Sequence, residues 1–423
     1  MPSPGRGMIA GVSLTVRIPG LVLTEHEFAV PLDHARPDGE RITVFAREVA
    51  DPEGTDRPYL VFLQGGPGSE APRPTGDPLS PGWLNRALRD FRVLMLDQRG
   101  TGRSTPVETL PGMSPQQQAD YLKHFRADSI VRDAEWIRRE LGVDRWSVLG
   151  QSFGGFCAAT YLSIAPEGLR EALFTGGVPP VGVHIDDVYR AIYPTMLERN
   201  RRYYLRYPGD RDRVARIGEL ADDGRITLPG GDRLTSRRFR QIGNMLGMSD
   251  GAERLHHVLE RDPLCYAFAH DVEAAMPFHT RNPIYFVLQE ACYADGIATN
   301  WSAERIRPDE YAADPTLLTG EHAFPWMLED CGGFAPLREA TELLAGYEWP
   351  RLYDDTALRD CEVPCAAAMY AEDAYVDCAL GLVTARMIPT MRYWVTNEYE
   401  HNGLRASGGR VLDRILGLAR GRA

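Results

Sequence analysis

The segment Gly150-Gln151-Ser152-Phe153-Gly154 constrains this chain more than any other. An apolar, strand-like run, Trp146-Ser147-Val148-Leu149, precedes it, and a helix-capable run of small residues, Gly155 to Leu162, follows. G-x-S-x-G between a strand and a helix marks a tight turn that lifts a serine above a sheet. Glycine is needed at the flanks because such a turn leaves no room for side chains. The helix N-terminus behind the serine favours negative charge. Ser152 is therefore the expected nucleophile.

A serine hydroxyl is a weak nucleophile at neutral pH, so a base must take its proton and a carboxylate must orient that base. After this type of turn the partners follow in the order acid, then histidine. Beyond His322 the chain has a single further histidine, His401, just past the strand-like Met391–Thr396. The preceding strand-like run, Val363 to Tyr370, ends in Ala371-Glu372-Asp373-Ala374-Tyr375-Val376-Asp377. Asp373 stands a short turn beyond the strand end and is the expected acid, with Glu372 and Asp377 as alternatives. The developing oxyanion needs two backbone amides. Phe153, after the nucleophile, supplies one. The loop Gln64-Gly65-Gly66-Pro67-Gly68, after the strand-like Tyr59–Leu63, is placed to supply the other.

The rest of the chain sets limits on class. With 43% hydrophobic and 25% charged residues it has the composition of an ordinary soluble globular protein. No apolar run is long enough to span a bilayer, and Met8–Val16 is read as a first strand rather than a signal peptide. Seven cysteines, an odd number without metal-ligand spacing, suggest free thiols in a reducing cytoplasm. A net charge of −12 argues against a nucleic-acid partner. His256 and His257 are adjacent, and neighbours on a helix do not share a metal-binding face. No metal or cofactor is expected.

Strand-like and helical segments alternate up to about residue 180, which argues a mostly parallel, doubly wound sheet. From 181 to 353 the chain is rich in helix formers, aromatics and arginine. The expected organisation is a core in two parts, 1–180 and 354–423, with a mainly helical cap inserted at 181–353. The Arg201-Arg202 and Arg237-Arg238 pairs are expected on the solvated surface of that cap.

Three blocks together resemble the prolyl aminopeptidase (proline iminopeptidase) family of α/β-hydrolases, in its longer bacterial branch. They are Gly65-Gly66-Pro67-Gly68, Asp97-Gln98-Arg99-Gly100-Thr101-Gly102-Arg103-Ser104 and Gly150–Phe156. Leu288-Gln289-Glu290, Phe324-Pro325-Trp326-Met327 and Trp394–His401 extend the likeness. Gln64 departs from the histidine of many members, and Phe153 from the tryptophan of many short ones. The resemblance implies an α/β-hydrolase fold with a mostly parallel eight-stranded sheet, helices on both faces and an inserted helical cap. It implies the triad Ser152, Asp373 and His401, and oxyanion donors at Gly66 and Phe153, with Gly65 less favoured. It implies release of N-terminal proline from peptides. The charged amine would be bound by Glu290, with Glu321 and Glu329 competing for a second position. Phe153, Phe156, Tyr293 or Trp326 would line the slot for the proline ring. An esterase, lactonase or amidase on the same scaffold is the alternative, because a fold does not choose a substrate.

Overall fold

Runs of buried apolar residues in the first and last parts of the chain become the strands of one sheet. In the computed structural model, which describes residues 14–422, these are β1 (Leu14–Ile18), β2 (Leu21–Pro31), β3 (Arg41–Ala50), β4 (Tyr59–Leu63) and β5 (Arg92–Leu96). They continue with β6 (Trp146–Gln151), β7 (Leu169–Thr175), β8 (Cys365–Tyr370) and β9 (Met391–Thr396). Their order across the sheet is β1-β2-β3-β5-β4-β6-β7-β8-β9. The first three strands pair antiparallel, as does β3 with β5. Every pair from β5 to β9 is parallel.

The sheet has nine strands, one more than the eight expected. The addition is β1, a largely exposed edge that pairs only with β2. It extends a hairpin without burying a new face. Of the segment read as a first strand, residues 8–13 lie outside the described residues and 14–16 are in β1.

Parallel neighbours need crossovers, and helices bury both faces of the sheet. Val61 and Leu63 point into one layer with α1 (Ala127–Glu140) and α2 (Phe153–Ile164). Leu60 and Phe62 point into the other, against Trp83, Leu84 and the C-terminal helix Arg410–Ala419. The alternation within β4 is the period-two pattern of a strand buried on both faces.

No strand joins this sheet between β7 and β8. The intervening chain is helical and begins with α3 (Ile185–Arg206). It divides by packing. Much of 196–276 surrounds its own cluster of Tyr203, Ile217, Phe239, Leu255 and Phe268. Phe278, Phe286, Phe334 and Trp349, further along, join the core that also holds α1 and α2. Arg238, expected on the surface, is buried: it donates to Asp232 at 2.8 Å and to the Asp330 carbonyl at 2.9 Å. Among the described residues no helix is long and apolar enough to cross a membrane.

The Asp97–Ser104 block spends its polar side chains internally. Asp97 is fully buried and accepts from both terminal nitrogens of Arg73, at 2.9 and 2.7 Å. Arg99 is buried on Asp133 and on the carbonyls of Leu32 and His124. Gln98 donates to the Gln64 carbonyl at 3.0 Å, which fixes the start of the Gly65–Gly68 loop.

Candidate active site

The chain turns sharply between β6 and α2, and Ser152 stands at the turn with φ 55° and ψ −126°. A non-glycine residue held there costs about 1–3 kcal/mol. The surrounding packing enforces it. The Ser152 amide donates to the Thr175 carbonyl at 3.0 Å. A Cβ on Gly154 would lie 1.9 Å from the Leu63 carbonyl oxygen, so only glycine lets α2 start this close to β4.

The structure brings the three side chains expected from chain order into one relay. His401 Nε2 lies 2.9 Å from Ser152 Oγ, and His401 Nδ1 lies 2.7 Å from Asp373 Oδ2. The other oxygen, Asp373 Oδ1, accepts the amides of Tyr375 and Val376 at 2.9 and 3.0 Å. All three groups are buried. A carboxylate on Nδ1 fixes the tautomer that leaves Nε2 free to take the serine proton. The Tyr375 ring meets the imidazole edge-on at 4.6 Å and closes its other side. The two competing acids have other partners. Glu372 pairs with Arg202, and Asp377 caps the helix Cys378–Met387 through the Leu380 amide at 2.8 Å.

Phe153 is the first residue of α2, so its amide has no acceptor within the helix. Gly65 and Gly66 line a cavity of about 200 Å³ together with the serine, and Gly65 packs so close that a Cβ on it would lie 2.9 Å from Ser152 Cβ. Gly68 brings this loop against the helical insertion, where a Cβ would lie 2.7 Å from the Tyr285 amide nitrogen.

The insertion contributes one carboxylate to that cavity, and it is Glu321. The Tyr285 hydroxyl and Gln289 Nε2, the latter at 3.1 Å, both donate to it. Burial, with a smaller contribution from the charge of Asp373, pushes its pKa up to about 8. Glu290, the expected amine ligand, does not line this cavity. Its oxygens accept the amides of Ala303 at 2.8 Å and Ser302 at 3.1 Å. There it caps the short helix Ser302–Arg305, and burial raises its pKa to about 7. Glu329 is also elsewhere: it is exposed and pairs with Arg237 at 3.3 Å. The Phe153 ring is buried 6.4 Å from Phe156, whose ring meets Tyr293 edge-on at 5.2 Å. Tyr293 donates to the Tyr375 carbonyl at 3.0 Å, which makes it a brace beneath the acid loop rather than a cavity wall. The walls are instead Asn244, Met248, Tyr285 and Tyr375, none of which the sequence singles out. Only Tyr375 carried a signal, its place two residues after Asp373.

Helix α3 grips the loops of the acid and the base together. Arg199 donates to Glu400 at 2.8 Å and to the Glu372 carbonyl at 2.6 Å. Arg202 holds the Glu372 carboxylate. Glu372 and Glu400 immediately precede Asp373 and His401. The His401 amide itself donates to the Gly247 carbonyl in the insertion at 3.2 Å.

Comparison with known proteins agrees with this architecture. Residues 58–260 match the family model described as the alpha/beta hydrolase fold. The chain is 46% identical to a proline iminopeptidase of Aeromonas sobria, over 95% of this chain and 97% of that one. It is 36% identical to a proline iminopeptidase of Aspergillus aculeatus, over 93% of each. A solved 2-hydroxy-6-oxo-6-phenylhexa-2,4-dienoate hydrolase of Rhodococcus sp. strain RHA1 aligns with 97% of this chain and all of its own, at 14% identity and a TM-score of 0.45. Identity of this extent to the two iminopeptidases, across nearly the whole of each chain, makes this protein a member of the proline iminopeptidase family of α/β-hydrolases.

Proposed function

We propose that the protein is a serine aminopeptidase that releases N-terminal proline from peptides through an acyl-enzyme. One observation carries the reading. The buried Ser152–His401–Asp373 relay shares a small cavity with a half-buried carboxylate, Glu321, from the helical insertion. An enzyme that hydrolyses neutral esters has no use for such a group beside its acyl site. One that must recognise a charged N-terminal amine does, because a carboxylate in a partly dehydrated cavity binds an ammonium through charge-assisted hydrogen bonds.

In the proposed reaction, Ser152 attacks the carbonyl of the terminal residue as His401 takes its proton. Asp373 stabilises the imidazolium, and the amides of Gly66 and Phe153 hold the oxyanion. His401 then protonates the leaving amine, and water releases the acyl group as free proline. Glu321 takes the amine-binding role that the resemblance suggested for Glu290. Residues 181–353 act as the cap that closes the site beyond the amine. The substrates are peptides with a free N-terminal proline rather than nucleic acids, which the net charge of −12 repels. An odd set of seven cysteines, six of them buried, supports a cytoplasmic setting.

The test is hydrolysis of a proline anilide beside its N-acetylated form. The free-amine substrate is expected to be turned over at least about 100-fold faster, the worth of a buried charge pair. Equal rates on the two would sink amine recognition and return the esterase or amidase reading.

A further inference from the structure

The cavity around Ser152 holds one charged group that the proposed reaction leaves unused. Arg405 lines it together with Ser152, His401 and Glu321. It sits in the short helix Gly403–Ala406, four residues after His401, or about one helical turn further along the chain. The side chain is exposed at the cavity, yet the walls around it remove enough water to lower its pKa. Its charged or ionisable neighbours are Tyr375 and Asp250, and neither hydrogen-bonds to it. Asp250 is itself exposed and faces Arg254 at 3.8 Å. Among the described residues no carboxylate pairs with the Arg405 guanidinium at the cavity. Arg199, Arg202 and Arg281, all on the insertion, each hold one.

The chemistry decides which part of a substrate comes near this group. The base that takes the serine proton returns it to the leaving amine. The leaving peptide therefore lies on the His401 side of the scissile bond, the side that carries Arg405, while Glu321 approaches from the insertion. We propose that Arg405 is a subsite for a carboxylate of the leaving peptide. This rests on the aminopeptidase reading and specifies its substrate class. A guanidinium offers a planar fork that fits a carboxylate with two parallel hydrogen bonds. The cavity, at about 200 Å³, is smaller than the ~300–1,000 Å³ of pockets that enclose drug-sized ligands. A carboxylate within reach therefore belongs to the residue directly after proline. It is either the chain terminus of a dipeptide or an acidic side chain at the second position.

Three substrates separate these sources: prolyl-glycine, prolyl-glycinamide and prolyl-aspartic acid α-amide. Each is measured as kcat/KM with the unchanged protein, Arg405→Lys and Arg405→Met. Ratios are taken between substrates within one protein sample, so any loss of folded enzyme cancels. The unchanged protein is expected to prefer prolyl-glycine over its amide by about tenfold or more, the worth of a hydrogen bond to a charged group. Arg405→Met is expected to bring that ratio close to one, and Arg405→Lys to keep part of it. If prolyl-aspartic acid α-amide shares the preference, the subsite accepts an acidic second residue. If it does not, the subsite reads the chain terminus and the enzyme is a dipeptidase. Carboxylate-to-amide ratios that are the same in the unchanged protein and in Arg405→Met overturn the proposal. An unchanged protein that turns over none of the three overturns the aminopeptidase reading, and this subsite with it.

Discussion

Two halves of the molecule meet at Ser152, and they are built differently. The half carried by the sheet places each group at a strand end, where backbone hydrogen bonds fix it. Ser152 follows β6, Asp373 follows β8, and His401 follows β9. The half carried by the helical insertion gathers Asn244 and Met248 from one short helix and its end, and Tyr285 and Glu321 from two further segments, and burial raises the pKa of its carboxylate to about 8. The first half is suited to bond making and breaking, which demands fixed geometry. The second is suited to deciding which substrate is admitted, which needs only one charge in a dehydrated wall. The contrast can be broken at several points, and the expected effects fall steeply from the sheet side to the insertion side.

The largest effect belongs to the relay. Ser152→Ala or His401→Ala is expected to lower kcat on a proline anilide by about 10⁴-fold or more, as for comparable relays. The double variant should lose no more than either single one, because the two residues act as a unit. Additive losses would mean that the sheet half is not a single device.

Glu321→Gln comes next. It should lower kcat/KM for free-amine substrates by about 100-fold, near 3 kcal/mol, the cost of removing one partner of a dehydrated charge pair. Covalent labelling of Ser152 by a fluorophosphonate, which carries no amine, should keep its rate. The pH profile sharpens the point. Glu321 is held near pKa 8, so in the empty site it is largely protonated at neutral pH. An arriving ammonium binds only the ionised form, so kcat/KM should rise as pH approaches about 8. It should then fall as the substrate's own amine, at about 7.7–8.0 for a peptide terminus, loses its proton. The glutamine variant should lack the rising limb. A labelling rate that drops as far as peptide turnover would mean that Glu321 serves the relay rather than the substrate.

The two halves are joined at Arg199, and the third effect is smaller. Arg199→Met unties the Glu372 and Glu400 positions that precede the acid and the base. A drop in kcat of about tenfold is expected, short of the ~100-fold that a 1 Å misplacement can cost. KM should change little, since no substrate contact is removed. Arg199→Met combined with Glu400→Gln should lose less than the two single changes added together, because the variants share one interaction. Strict additivity would show that the insertion does not hold the loop of His401.

This division also governs what was legible in the chain. The elbow is a local device: strand, tight turn and helix lie within a short stretch, and steric rules alone require the glycines and expose the serine. The positions of Asp373 and His401 follow from strand ends. The insertion offers no such rule. Glu290 stands in a persuasive block, Phe286–Glu290, but its carboxylate turns toward the amides of Ser302 and Ala303. Glu321, which the resemblance offered only for a second position behind Glu290, reaches the cavity because Tyr285 and Gln289 fold onto it. Contacts between short helices joined by loops leave no period to detect. The edge strand was legible only in part: the run read as a first strand, Met8–Val16, overlaps β1 at 14–16, and the largely exposed β1 offers no buried face to mark its end.

The smallest effect separates the two insertion carboxylates from each other. Burial holds Glu290 at about 7, above its ordinary 4.5. Between those values the folded protein keeps a proton that the unfolded chain has released. Stability contributed by this group is therefore complete below about 4.5 and is lost as pH rises through about 7. Glu290→Gln removes that titration while leaving one oxygen to accept a backbone amide. The melting temperature of the unchanged protein should fall relative to the variant as pH is raised across this window. Turnover of a proline anilide should stay close to that of the unchanged protein, because the side chain faces a helix end and not the cavity. If Glu290→Gln lost turnover as deeply as Glu321→Gln, both carboxylates would hold the substrate's amine. The line between a glutamate that supports the insertion and one that reads the substrate would then have to be withdrawn.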